Sequence, residues 1–312
     1  MKQTGNLRPN DLVEVRSPKE ILQTLDAGGA LDYLPFMPEM VEFCGKRFRV
    51  SRRVVKTCSY TGSGTNMREF LTDDIVTLDS LRCSGVEHDE CPKYCTIFWR
   101  AAWLRKVDHV GDERAHSAVD SNDRTELTAR LKTTSGPTTY FCQASELLKA
   151  TKPLARWKRV GKCFSEVRAG NCTGLEMVQR IGIWLFWRVR RVFMGEFAQG
   201  PKRLTPVESL NLQSGELVEV KPMKNILETL NRTGRNRGLY FSPDMRLSCG
   251  KPQRVERRLD KIIVDGTGDV RKMSNTVYLE GSLCGCSHVA LGGCSRNEFV
   301  YWRETWLRRR KA

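Results

Sequence analysis

The chain has no apolar run long enough to cross a membrane. Its most apolar stretch, Ile181–Trp187, falls far short of the ~20 residues such a helix needs. No apolar segment follows Lys2, so no secretory leader is expected. The expected location is cytoplasmic, with peripheral membrane association left open, and the sequons at Asn171 and Asn231 then carry no meaning. Histidine is scarce: there are four, His88, His109, His116 and His288, and no two are spaced to share a helix face. The motifs G-x-S-x-G, H-E-x-x-H and G-x-G-x-x-G and the Walker loop are all absent. The nearest thing to a phosphate cradle, Thr61–Thr65 (TGSGT), reads as a hairpin turn. The usual signatures of several hydrolase, nucleotide and dinucleotide chemistries are therefore missing, and the sequence leans away from an enzyme.

Acidic residues are also short. There are 36 Asp and Glu against 52 Lys and Arg, a net charge of +16. The deficit is uneven. Residues 7–110 hold 15 of each sign, residues 111–206 hold 17 basic against 9 acidic (net +8), and residues 207–312 hold 19 against 12 (net +7). An anionic partner, nucleic acid or membrane lipid, would meet the middle and the end of the chain first; a solvated basic surface is the plain alternative.

What the chain does have is a repeat. LRPNDLVEV (Leu7–Val15) returns as LQSGELVEV (Leu212–Val220), 205 residues later. LPFMPEM (34–40) matches LYFSPDM (239–245), and Cys44-Gly45 matches Cys249-Gly250. TLDSLRC, ending at Cys83, matches YLEGSLC, ending at Cys284, and the closing stretches 91–105 and 294–308 carry WRAAW and WRETW. Turn-flanked alternation around LVEV predicts strands, and Ile21, Leu22 and Leu25 predict a short helix repeated at Ile226, Leu227 and Leu230. Trp99, Trp103, Trp302 and Trp306 are read as core residues. The expected fold is α+β, with two homologous small β-rich modules flanking a helical middle; an SH3-like barrel is the candidate form of the module. The expected segments are a first module (1–110), a polar linker without periodicity (111–139), a basic helical segment (140–206) and a second module (207–312).

Twelve cysteines with no export signal argue for ligands or core thiols rather than disulfides. In the first module Cys44, Cys58, Cys83, Cys91 and Cys95 are the candidate ligands, with His88 able to replace a thiolate. In the second they are Cys249, Cys284, Cys286 and Cys294, or three of these with His288. Cys58 has no counterpart there, and Cys95 becomes Glu298. Loop thiolates that converge tetrahedrally suit zinc; an iron–sulfur cluster uses the same four thiolates. Cys142, Cys163 and Cys172 are read as packing residues.

Thr173-x-x-Glu176 is a capping box that predicts a helix from about Thr173 to Met194. On a helical wheel Val178, Ile181, Leu185, Val189 and Phe193 form the apolar arc expected to face protein or lipid. Arg180, Trp184, Trp187, Arg188 and Arg191, on or beside the other side, are the candidate residues for an anionic surface.

Taken together, LVEV, CG and WRxxW in each half resemble an uncharacterised bacterial family of tandem-repeat, cysteine-rich proteins. The resemblance also covers FCQASELLKAT (141–151), and it implies the two-module plan and the cysteine loops but no activity. The leading expectation is a non-enzymatic, metal-stabilised binding or scaffold protein. A nucleic-acid-binding protein and an iron–sulfur or thiol redox protein are the alternatives.

Overall fold

A computed structural model of the chain describes residues 7–61, 64–107, 120–286 and 288–310. His109 and His116, the tip of the TGSGT turn and the start of the expected linker lie outside them. The chain forms two compact units. The first comprises Met1–Met177, Ile263–Arg271 and Cys294–Arg296; the second comprises Val178–Ile262, Lys272–Gly293 and Asn297–Ala312. These bounds do not follow the repeat, because two short pieces of the second copy belong to the first unit.

In the first unit five strands form one antiparallel sheet: β1 (Leu12–Val15), β2 (Arg47–Arg53), β3 (Ile75–Leu78), β4 (Trp99–Arg100) and β5 (Leu104–Lys106), in the order β4-β3-β2-β1-β5. The second unit repeats it with β6 (Leu217–Val220), β7 (Pro252–Arg258), β8 (Thr276–Leu279), β9 (Trp302–Arg303) and β10 (Leu307–Arg309), in the order β9-β8-β7-β6-β10. Register agrees as well. Leu12 faces Arg49 as Leu217 faces Arg254, and the bulge between Val50 and Arg52 recurs between Val255 and Arg257. The two copies therefore share one topology, and the α+β class holds. Among the described residues neither sheet closes into a barrel. In each copy the edge strands are linked by a single 3-10 turn, Ala101–Trp103 or Glu304–Trp306, and not by hydrogen bonds to each other.

The four repeat tryptophans are fully buried, as the sequence implied. Phe36 meets Trp103 edge-on at 5.2 Å and Phe241 meets Trp306 at 5.3 Å. Trp103 donates its indole N–H to Thr24 Oγ1 (3.1 Å), and Trp306 donates to Thr229 Oγ1 (3.0 Å). A buried ring with its one polar atom satisfied anchors the core without a desolvation cost.

From residue 120 on, where it is described, the expected linker is structured. Helix α1 (Ser121–Arg130) starts where Asp120 caps the amide of Asn122, and a hairpin of Thr134–Gly136 with Thr139–Tyr140 follows. The helix shows no apolar stripe because one fully buried residue, Leu127, ties it to the core; tertiary contact, not periodicity, supports it. A short helix, Leu147–Ala150, runs into strand Thr151–Pro153, which pairs with Gly64–Phe70, itself paired with Thr57–Thr61, so the expected helical segment begins with helix and sheet together. Helices α2 (Lys158–Arg168) and α3 (Gly174–Met194) complete the middle, and Thr173 and Glu176 form the expected capping box. No helix among the described residues is long and apolar enough to cross a membrane.

Candidate metal centre

The loop from Cys83 to Cys95 is pinched shut at its base. Arg82 bridges Thr96, and the Cys83 amide donates to Cys95 O at 2.9 Å. Inside, the Cys91 amide donates to Gly85 O (3.1 Å) and the His88 amide to the same oxygen (3.0 Å). Gly85 has φ +76°, and a Cβ there would sit 2.1 Å from Cys91 O. Only glycine permits that conformation and that approach together.

This closure delivers three unlike groups to one point. Glu39, from the 3-10 turn Pro38–Phe43, lies with Oε1 2.6 Å from His88 Nδ1 and 3.7 Å from Cys83 Sγ. Glu39 and His88 are almost fully buried, and Glu39 Oε2 has no hydrogen-bond partner. His88 Nε2 is 3.0 Å from Phe141 O, which can only accept, so the ring proton belongs on Nε2. Nδ1 then either shares a proton with Glu39 or offers its lone pair to a cation. A backbone carbonyl holding the far nitrogen is the usual support of a metal-bound imidazole. Burial first, and then the Glu39 carboxylate with Cys95 and Cys142, push the Cys83 thiol well above its ordinary pKa. A thiolate there calls for a cation beside it. Burial alone would raise Glu39 too, but the contact with His88 outweighs it and holds that carboxyl low.

Cys83, Cys91, Cys95, Cys142 and His88 all line one cavity of about 30 Å³. That is room for a water or an ion and little else. Cys142, expected to be a packing residue, therefore stands beside three of the expected ligands. The five-cysteine set does not converge as a whole: among the described residues no three of its sulfurs lie within 4.8 Å of one another. Cys44 is buried in the hydrophobic core, where burial pushes its thiol up to about 12. Cys58 lies on the strand Thr57–Thr61, with its sulfur within 4.8 Å of that of Cys294, which belongs to the first unit.

In the second unit Cys284 and Cys286 hold their sulfurs 3.1 Å apart. Cys249 ends the 3-10 turn Pro243–Ser248, half-buried, its pKa raised by burial. Asp244 occupies the place of Glu39, and its Oδ2 lies 3.3 Å from His288 Nδ1. Both copies thus bring the acid of this 3-10 turn to the histidine of the cysteine loop. Glu39 and Asp244 were missed by a search for cysteines. The available signal was the acid kept in LPFMPEM and LYFSPDM, together with one histidine in each loop.

The candidate anionic-surface residues of α3 are arranged differently from the wheel reading. Trp184 and Trp187 are half-buried; Trp187 packs on Phe197 at 5.0 Å, and Arg190 covers both rings while donating to Gly195 O and Phe197 O. Arg180 is half-buried, Arg188 and Arg191 are exposed, and so are Val178, Leu185, Val189 and Phe193 from the arc expected to be covered. The large rings take the packed side because each buries more area than an aliphatic side chain and brings a guanidinium with it.

Comparison of the chain with protein-family models, with curated proteins and with solved structures gives no match.

Proposed function

We propose that the protein is a non-enzymatic binding scaffold whose first unit is stabilised by one metal ion, with zinc as that ion. Glu39, Cys83 and His88 hold it, and Cys142, Cys91 or Cys95 supplies the fourth ligand from the same cavity. The observation that carries this reading is the buried carboxylate–imidazole–thiol contact with an unpartnered carboxylate oxygen beside it. A mixed O, N, S donor set suits zinc, and a site closed by four protein ligands is structural rather than catalytic. An iron–sulfur cluster would use the four cysteines of the cavity and leave Glu39 and His88 without a role. The module itself is read as an open SH3-like barrel, on the support of its strand order and the 3-10 turn that joins its edges.

Elemental analysis of the intact chain, purified without chelator or added metal, is the test. About one zinc per chain, lost in Cys83→Ser and in His88→Ala but retained in Cys44→Ser, is expected. A metal-free protein overturns the reading, and a brown preparation with stoichiometric iron replaces it with the cluster.

A second reading concerns where the scaffold sits, and the bare side of α3 favours it. Leu175, Val178, Leu185, Val189 and Val192 recur at intervals of three, four and seven, with Phe186 and Phe193 beside them, all exposed. Beside them Arg188 and Arg191 are exposed, Arg191 with Glu196 at 3.9 Å, and Arg180 is half-buried. Helix α2 shows the same combination, with Trp157, Val160 and Phe164 exposed among Lys158, Arg159 and Lys162. An anionic lipid surface matches both the apolar stripe and the charge. A second copy of the helix would set like charge against like, and a nucleic acid would leave the aliphatic stripe in water.

A further inference from the structure

The arginine of the W-R-x-x-W motif meets opposite surroundings in the two copies. In the first, Arg100 is buried and neutralised. Its Nη1 donates to Asp32 Oδ2 at 2.8 Å, and its Nε donates to Asp74 Oδ2 at 3.0 Å. The equivalent positions in the second copy follow from the backbone. Asp32 and Arg237 share left-handed φ values of 48° and 44°, and Asp74 O and Asn275 O accept the amides of Ala101 and Glu304, each at 2.9 Å. Both aspartates are therefore replaced, one by asparagine and the other by a second arginine.

Arg100 also donates to Leu31 O; Arg303 donates instead to Ser274 O at 2.6 Å, Arg237 O at 2.9 Å and Thr276 Oγ1 at 2.9 Å. It has no carboxylate partner among the described residues. Its Nε, the atom that reaches Asp74 in the first copy, is buried and unpartnered. A cavity of about 200 Å³ lies here, lined by Arg237, Arg303, Asn236 and Asn275 among others. Glu208 also lines it, its carboxylate held by Lys221 at 2.7 Å. Burial, and then the charge of Arg237, hold the pKa of Arg303 below its usual value, so the pair is unfavourable without an anion.

We propose that this cavity in the second unit binds a small oxyanion, the carboxylate or phosphate group of a low-molecular-weight ligand. Two guanidinium groups beside one cavity suit such a group, since their planar donors match both geometries. The volume is below that of sites for drug-sized ligands, which sets the size class. The first copy cannot offer the same site, because its two aspartates already fill the role of the anion.

The comparison between copies also supplies the test. Calorimetric titration and thermal unfolding of the full chain are carried out with inorganic phosphate and, separately, with succinate. At least one should bind saturably and raise the melting temperature. The double variant Arg237→Asp with Asn275→Asp rebuilds the first-copy cluster, so it should fold, and it should lose affinity by more than about tenfold, as expected when a desolvated charge partner is removed. Arg254→Asp, a charge change that does not line the cavity, should bind as the unaltered chain does. The proposal fails if neither anion saturates or if the double variant binds unchanged. It fails equally if Arg254→Asp loses as much, since general positive charge would then explain the binding.

Discussion

Asp265 is the residue whose loss should cost the first unit most. Its Oδ1 meets Lys93 Nζ at 2.5 Å, its Oδ2 meets Arg296 Nη1 at 2.5 Å, and Lys93 also donates to Ile263 O. All three charged side chains are almost wholly buried. Removing one member of such a cluster strands the others, so Asp265→Asn should destabilise the protein by about 3–5 kcal/mol in urea unfolding. A loss below about 1 kcal/mol, the level of a surface pair, would show that the cluster is not structural. Burial would raise the carboxyl, but Arg296 and Lys93 overcome it and hold its pKa well below the usual range. A carboxyl depressed on folding contributes fully above its unfolded pKa of ~3.9, and that contribution is lost as pH falls through the folded value. Acid unfolding of Asp265→Asn should accordingly begin at higher pH and be less steep than that of the unaltered chain. None of this was legible in the sequence, where Asp265 opens DGTGD and reads as an ordinary turn; its partners lie 172 and 31 residues away. Gly85 is a second case. Gly85→Ala should open the cysteine loop and lower the proposed zinc content, and an unchanged content would mean that the loop shape does not hold the proposed site.

Among the elements, those built by local pattern were legible and those built by distant contacts were not. The strands of both copies and the span of α3 follow from alternation, turn residues and one capping box. The copies' shared order was visible because the W-R-x-x-W tryptophans, the Cys-Gly pair and the cysteines Cys83 and Cys91 recur at a nearly fixed offset. Helix α1 was not visible, because a single leucine makes its contact. The packed side of α3 was not legible either. A wheel ranks arcs by hydrophobicity, whereas the helix packs through Trp187 and the stem of Arg190, and it leaves Val192 and Phe193 about four-fifths exposed. That bare stripe leads to a measurement on vesicles. The chain should sediment with phosphatidylserine-containing liposomes and not with phosphatidylcholine alone. Arg188→Glu with Arg191→Glu should weaken the association by more than about tenfold, since each basic residue near an anionic surface contributes ~1 kcal/mol. Leu185→Ser with Phe193→Ser should weaken it at every salt concentration, because it removes apolar area rather than charge. Equal sedimentation with both lipids would dismiss the anionic surface. Stronger retention on a DNA or RNA duplex, with the serine variant unaffected, would assign the charge to nucleic acid instead.

At the scale of the whole molecule, the sequence implies a module for each copy, but the first compact unit takes in Ile263–Arg271 and Cys294–Arg296 from the second copy. These pieces are integral to it. The Tyr140 amide donates to Gly268 O, the Gly266 amide to Ala144 O and Ser295 Oγ to Glu166 Oε1. Gly268 has φ +79°, and a Cβ there would meet Tyr140 O at 2.4 Å, so its glycine is fixed by the approach of another chain segment rather than by the turn alone. The chain therefore cannot be cut at the repeat boundary without damage. A fragment of residues 1–206 retains every strand of the first sheet and the proposed metal ligands Glu39, Cys83 and His88. It also leaves Lys93 buried without Asp265, and Cys58 without the neighbouring Cys294. Such a fragment should unfold at much lower temperature than the intact chain and should lose the near-ultraviolet circular dichroism of the packed Trp99 and Trp103. The same fragment with Lys93→Met, which removes the stranded charge, should recover part of that stability, because an apolar side chain of similar length asks for no partner. If residues 1–206 melt cooperatively at the temperature of the intact chain, the borrowed segments are decoration on a self-sufficient module.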